Sequence, residues 1–199
     1  MKTVAVLFGG KSSEYEVSLS SAYGALSNIN TEKYNVVKLG ITREGQFWYY
    51  CDSNEKIADG TWIDGEKYPV SLDLTGGGLI VFRDGNAEHI HVDRVLPMIH
   101  GKFCEDGTMQ GMFAVAGISI AGCDCASSAV CMDKAITKTV MERVGVRTAP
   151  WCDVVYTEED IPRLVQELEV PCAVKVVNGG SSLGLALPDT KEELGKALH

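Results

Sequence analysis

Residues 3–8 (TVAVLF) form a compact apolar run of strand type, and helical and strand patterns alternate after it through most of the chain. Alternation of this kind joins strands through covering helices, so the expected fold is α/β with a largely parallel sheet. Ser13 is placed to cap the first helix, with Glu16 completing a capping box three positions on. Residues 34–42 read as the next strand. Residues 45–91 are less regular, with short strands expected at 46–50 and in a hairpin over 78–91. Residues 93–99 form another buried strand, ending at His100-Gly101, and a helix is expected from Glu105 to Gly117.

A second unit begins near Gly122. Residues 132–144 are helical, with Asp133 as cap and Ile136, Val140 and Val144 on one side. Residues 150–156 are extended. Thr157 caps a helix whose Ile161, Leu164, Val165 and Leu168 follow helical spacing. Residues 172–177 read as a strand, and Thr190 with Glu193 opens a last helix. The domain reading is therefore 1–122 and 123–199.

Composition narrows the function classes. A net charge of −9 argues against a nucleic-acid footprint and against attraction to anionic membrane. No apolar run approaches the roughly 18 residues of a membrane span, and the start lacks a signal-peptide pattern. The seven cysteines are odd in number, which fits reduced thiols in the cytoplasm. Cys123 and Cys125 have no second Cys/His pair at ligand spacing, so the cysteines read as small packing residues rather than metal ligands.

Two glycine loops invite a phosphate reading. Gly9-Gly10-Lys11-Ser12 resembles the end of a Walker A loop, but the residue five before Gly10 is Ala5, inside the strand. A dinucleotide fingerprint fails too, because Gly9 and Gly10 are adjacent and no third glycine follows in register. Glu14 and Glu16 then lie in the first helical turn, where an acidic residue complements the dipole. The second loop, in VKVVNGGSSLG at 174–184, is sharper. On a strand Ala173, Lys175 and Val177 share one face. An ammonium there must reach water or an anion, and the glycines and serines behind it offer donors suited to phosphate oxygens. Composition leaves a phosphate site and an exposed hairpin both open. Lys134 alone reads as a solvated surface lysine, and His100 alone as a structural histidine.

Four blocks in one order change that reading: GGKSSEYEVSLSSA near the start, HGKFCEDGTMQGMFAVAGI at 100–118, GCDCASSAVCMDKAITK at 122–138 and VKVVNGGSSLG. Together they resemble the D-alanine–D-alanine ligases of the ATP-grasp superfamily, a group that includes the D-Ala–D-Ser and D-Ala–D-lactate ligases of vancomycin resistance. The resemblance implies an amino-terminal, Rossmann-like (pre-ATP-grasp) parallel-sheet domain over 1–122. It also implies a central ATP-grasp subdomain over 123–199, ending before a carboxy-terminal catalytic domain. It further implies ATP-dependent joining of two D-alanines through an acylphosphate, for peptidoglycan precursor synthesis.

Carried over residue by residue, Glu14 matches the glutamate that holds the ammonium of the first D-alanine, and His100 the histidine beside that substrate. Lys134 and Lys175 match the lysines that grip ATP phosphates. Ser181 matches the serine that hydrogen-bonds its loop to the Glu14 position, and Ser182 belongs to the phosphate-covering loop. The partners implied are ATP and D-alanine, with a homodimer through the amino-terminal domain as the family's common form. Magnesium is implied as well, with its ligands expected beyond residue 199, so none is assigned in 1–199 and this stretch alone is expected not to ligate. Two departures stand out. Cys104 replaces the usual glycine, which would strain it at a positive φ, and Val176 replaces a common proline. A non-catalytic nucleotide or amino-acid binding module is the other reading. A different ATP-grasp ligase conflicts with Glu14, His100 and the block at 105–107 occurring together.

Overall fold

The computed structural model describes all of residues 1–199, which divide into two compact units, Met1–Ala129 and Val130–His199. The first unit begins with β1 (Lys2–Gly9), α1 (Tyr15–Asn28), β2 (Tyr34–Ile41), β3 (Phe47–Tyr50) and the one-turn α2 (Glu55–Ala58). It continues with β4 (Lys67–Asp73), β5 (Gly78–Arg83), β6 (Asn86–His91), β7 (Arg94–Pro97), α3 (Thr108–Val115) and β8 (Ser119–Ile120). The strands form one eight-stranded sheet in the order β6-β5-β4-β3-β2-β1-β7-β8. Neighbours among β2, β1, β7 and β8 run parallel. From β2 outward to β6 the sheet is an antiparallel meander. The sheet is thus mixed, with the expected parallel strands at its heart.

The unbroken apolar run of β1 follows from its place in this sheet. Successive side chains point to opposite faces, and both faces of β1 are covered. Ala5 and Leu7 pack with Val37, Leu39, Val95 and Phe113 on one side. Val6 and Phe8 pack with Tyr15, Leu19, Ala22 and Trp62 on the other. On that second face Phe8, Tyr50 and Trp62 meet edge to face, with ring centroids 5.0 to 6.0 Å apart. The buried indole N–H of Trp62 donates to the Tyr15 hydroxyl at 2.8 Å, so the large ring leaves no polar atom stranded.

Asp84-Gly85 joins β5 to β6 with both residues at positive φ (50° and 79°), the two-residue turn that matches the twist of a hairpin. The Gly78–His91 expectation therefore holds. The strand β4 has no counterpart in the sequence reading. Its sequence KYPVSLD carries Pro69, which argues against a strand interior, although Tyr68, Val70 and Leu72 alternate with the exposed Pro69 and Ser71.

Two expectations near the sheet's carboxyl end are corrected. Ser13 does not cap α1: the helix starts at Tyr15 with Glu14 in the cap position and no capping side chain. Instead the hydroxyl of Ser12 accepts from the Glu14 N–H at 3.2 Å, a local turn that competes with a capping box. Glu16 pairs with Arg43. The helix expected from Glu105 begins only at Thr108. Residues 101–106 are folded into a tight turn, with the N–H groups of Cys104 and Glu105 donating to the Gly101 carbonyl.

In the second unit α5 (Lys134–Arg143), α6 (Ile161–Glu167) and α7 (Lys191–Leu198) follow α4 (Cys125–Met132), which crosses the division between units. Asp133 caps α5 as expected, its carboxylate accepting from the Ile136 N–H at 2.9 Å. Thr190 caps α7 in the same way through Glu193. Asp160 accepts from both the N–H and the hydroxyl of Thr157 at 3.0 Å, closing the turn before α6. Ile161 and Leu164 meet Leu194 and Leu198 in a small core. Ile136, Val140 and Val144 share a side of α5 as the spacing predicts, and that side is exposed.

The strand expected over 172–177 is not a regular strand. Val174 and Ala186 exchange both hydrogen bonds, at 2.9 and 3.0 Å, as an isolated bridge. Cys172 donates to the Pro188 carbonyl at 3.2 Å, but proline has no N–H to return, so the ladder ends there. No helix is long and apolar enough to cross a membrane.

Candidate functional site

In the first unit the loops at the carboxyl ends of β1 and β7 come together, the place where open α/β sheets bind ligands. Gly9 and Gly10 both have positive φ, 85° and 102°. A side chain on Gly9 would start 2.1 Å from the Ile41 carbonyl oxygen, so only glycine lets β1 turn this close to β2. The two amides are already used: Gly9 donates to the Ser18 hydroxyl at 2.8 Å and Gly10 to the Ile41 carbonyl at 2.9 Å. This loop therefore serves the fold, in keeping with its failure as a Walker motif.

Past that loop the Glu14 carboxylate reaches the end of β7. One of its oxygens lies 2.4 Å from where a Cβ on Gly101 would sit, and Gly101 has φ of 72°. His100 precedes it, with Nε2 3.0 Å from the Ser21 hydroxyl and Nδ1 3.8 Å from a Glu105 oxygen. The other Glu105 oxygen accepts from the Gly101 N–H at 2.8 Å. Glu14 and His100, 86 positions apart in sequence numbering, thus flank one glycine. A carboxylate at this bend of the backbone can hold an ammonium group.

Beside them lies a cleft of about 130 Å³ lined by Gly10, Lys11, Ile41, Phe47, Ile99, His100, Phe103 and Cys104 among others. The strain expected at Cys104 falls one residue earlier: Phe103 has φ of 68°, and its N–H is held by the Asp106 carboxylate at 2.8 Å. Cys104 is 3% exposed, and burial, aided by the charges of Glu105 and Asp106, pushes its thiol pKa up to about 12. The packing role assigned to the cysteines suits Cys104, whereas Cys51, Cys123, Cys125, Cys131 and Cys152 are exposed. Brief alkylation of the folded protein at pH 8 should label those five, Cys51 more slowly because burial raises its thiol pKa, and spare Cys104, as read by peptide mass spectrometry. Labelling of Cys104 at the same rate would contradict its burial.

In the second unit Lys134 and Lys175 line one cleft of about 200 Å³ with Gly179, Gly180, Ser181 and Ser182. Lys134 stands at the first position of α5 and its ammonium donates to the carbonyls of Gly179 at 2.6 Å and Val177 at 3.3 Å. Lys175 reaches water, as an ammonium on that run must: Val174 turns inward and Lys175 lines the cleft, exposed. Ser181 and Ser182 both take left-handed backbone, with φ of 48° and 57°. The loop closes through Leu183 N–H to the Gly180 carbonyl and Leu185 N–H to that of Ser182, each at 3.1 Å. Two successive serines in this region are costly and persist only where the surrounding structure holds them, as the Leu183 and Leu185 hydrogen bonds do here. Amides of such turns form concavities suited to anions. Two ammonium groups facing the same loop give the charge that a polyphosphate needs.

No three His, Cys, Asp or Glu side chains gather where they could hold a metal ion, so the residues present do not form a magnesium site and no step is assigned to one.

Residues 3–123 match the family model described as the D-Ala D-Ala ligase N-terminus. The chain belongs to the D-alanine–D-alanine ligase family. A ligase of that name from Thermoanaerobacter sp. (strain X514) is 38% identical over 204 residues, which include 99% of this chain and 56% of the relative. Among solved structures, the VanG D-Ala:D-Ser ligase from Enterococcus faecalis is 37% identical with a TM-score of 0.85, over 99% of this chain and 58% of that one. The D-alanine–D-alanine ligase from Bacillus anthracis complexed with ATP is 26% identical with a TM-score of 0.61, over 100% of this chain and 54% of that one. The chain thus spans little more than half the length of these ligases. Within the family's amino-terminal part, Ser21, Gly101 and Glu105 are residues around His100 to which the sequence reading gave no role. The one signal available was the spacing of Glu14, Ser18 and Ser21 at i, i+4 and i+7 along α1.

Proposed function

We propose that these residues carry the amino-acid and phosphate grips of an ATP-dependent ligase that joins two D-alanines. In this reading Glu14 takes the ammonium of the first D-alanine and His100 lies beside it. Lys134 and Lys175 hold ATP phosphates, with Ser181 and Ser182 in the loop that covers them. The γ-phosphoryl passes to the carboxylate of the first D-alanine, the amine of the second attacks the acylphosphate, and phosphate departs. The contribution of the lysines is positioning and charge stabilisation, which phosphoryl transfer chiefly requires. The observation that carries the reading is the meeting of Lys134 and Lys175 on one serine-glycine cleft.

Because the chain spans about 56% of a curated relative, the part of the reaction proposed for residues 1–199 themselves is binding, with ligation in the cytoplasm the work of a protein of the relatives' length. The domain reading of 1–122 and 123–199, magnesium as the phosphate counterion, and pairing through the amino-terminal domain belong to the same proposal. A second reading, D-Ala–D-Ser ligation, is favoured by the 37% identity to the VanG ligase. Phosphate release from ATP separates them, measured in a chain extended to the relatives' length with D-alanine, D-serine or D-lactate as second substrate. Release with D-alanine alone supports the first reading, release requiring D-serine the second, and no release with any overturns both.

A further inference from the structure

Helix α1 has two stripes. Tyr15, Leu19, Ala22 and Leu26 face the core. Glu14, Ser18 and Ser21 form a polar stripe, and each has a task near the end of the sheet: Glu14 against Gly101, Ser18 under the Gly9 amide, and Ser21 at His100. A serine inside a helix ordinarily returns its hydroxyl to the carbonyl four residues back. Ser21 reaches the imidazole Nε2 instead, at 3.0 Å.

We propose that Ser21 is a positioning residue that fixes the tautomer and aim of His100 through its hydroxyl at Nε2, opposite Glu105 at Nδ1. The inference rests on the reading of His100 as a substrate-facing group. A carboxylate 3.8 Å from Nδ1 favours a proton on that nitrogen. The neutral ring then offers Nε2 as an acceptor, and the Ser21 hydroxyl is the donor placed to fill it. The ring cannot turn over without giving up the Ser21 hydrogen bond at Nε2 and moving Nδ1 away from the Glu105 charge. Its edge toward Gly101 stays fixed while Glu105 also holds the Gly101 amide. The stripe thus couples the Glu14 carboxylate, the sheet loop and the imidazole to one rigid helix.

Nitrogen-15 spectra of the imidazoles test this without any assay of turnover, since protonated and unprotonated ring nitrogens resonate far apart. The 1–199 chain is used at a pH where titration shows the His100 ring neutral, and His100→Gln identifies its signals among the four histidines. The expected result is a His100 population mainly protonated at Nδ1. Ser21→Ala shifts that population toward Nε2–H, and Ser21→Thr, which keeps a hydroxyl, restores it. Serine to alanine is a helix-favouring change, so folding survives it. A wild-type ring mainly protonated at Nε2, or an alanine variant with an unchanged tautomer ratio, overturns the proposal. Neither outcome touches the ligase reading, which stands or falls on phosphate release.

Discussion

Lys175→Ala weakens ATP binding by about 10- to 100-fold, the loss of one hydrogen-bonded charge, while folding stability stays within about 0.5 kcal/mol of the parent. Both halves of this expectation come from its surroundings. Lys175 is exposed beside the bridge between Val174 and Ala186, so its removal leaves the packing intact. Lys134→Ala gives a similar loss of affinity by a different combination of effects. Its ammonium faces the same cleft but also ties down the carbonyls of Val177 and Gly179. Amides over 177–182 should therefore exchange faster in Lys134→Ala and not in Lys175→Ala. Calorimetric titration with ATP gives the affinities, and hydrogen exchange separates the two lysines. Unchanged ATP affinity in both variants would remove the phosphate grip from this loop.

Gly101→Ala should abolish most D-alanine binding, by about 100-fold or more if the ammonium loses its charged partner. Alanine at a φ of 72° costs about 1–2 kcal/mol in backbone strain. The larger consequence is local: the new methyl group would lie 2.4 Å from a Glu14 oxygen, so the carboxylate has to swing away. Glu14→Gln provides the comparison. It removes the charge without backbone strain, so it should match Gly101→Ala in lost binding and differ from it in thermal stability. If Gly101→Ala loses stability but binds D-alanine normally, Glu14 is not the ammonium partner.

These outcomes depend on features that differ in how far sequence displays them. The alternation around β1 and the motif blocks revealed the parallel heart of the sheet, because a strand buried on both faces carries that fact in every residue. The caps at Asp133 and Thr190 were equally local and equally readable. Ser13 was not, because Ser12 offered a competing turn one residue away, and a pattern cannot decide between two serines. The strand over 172–177 failed for a partner's reason: Pro188, eleven positions beyond Val177, cannot complete the ladder. Ser21 escaped notice because its meaning depends on His100, 79 positions distant. Cations were legible as residue types, yet the exposure of Lys175 and the carbonyl contacts of Lys134 depend on how the Gly-Gly-Ser-Ser loop folds back.

The most direct test of the account follows backbone amide shifts of the 1–199 chain during separate titrations with ATP and D-alanine. ATP should move Lys134, Lys175 and the amides of 179–182, and D-alanine should move Glu14 and Gly101. Movement of Gly9–Ser12 by ATP, with both lysines unaffected, would transfer the phosphate site to the other glycine loop and contradict the assignment of the two grips.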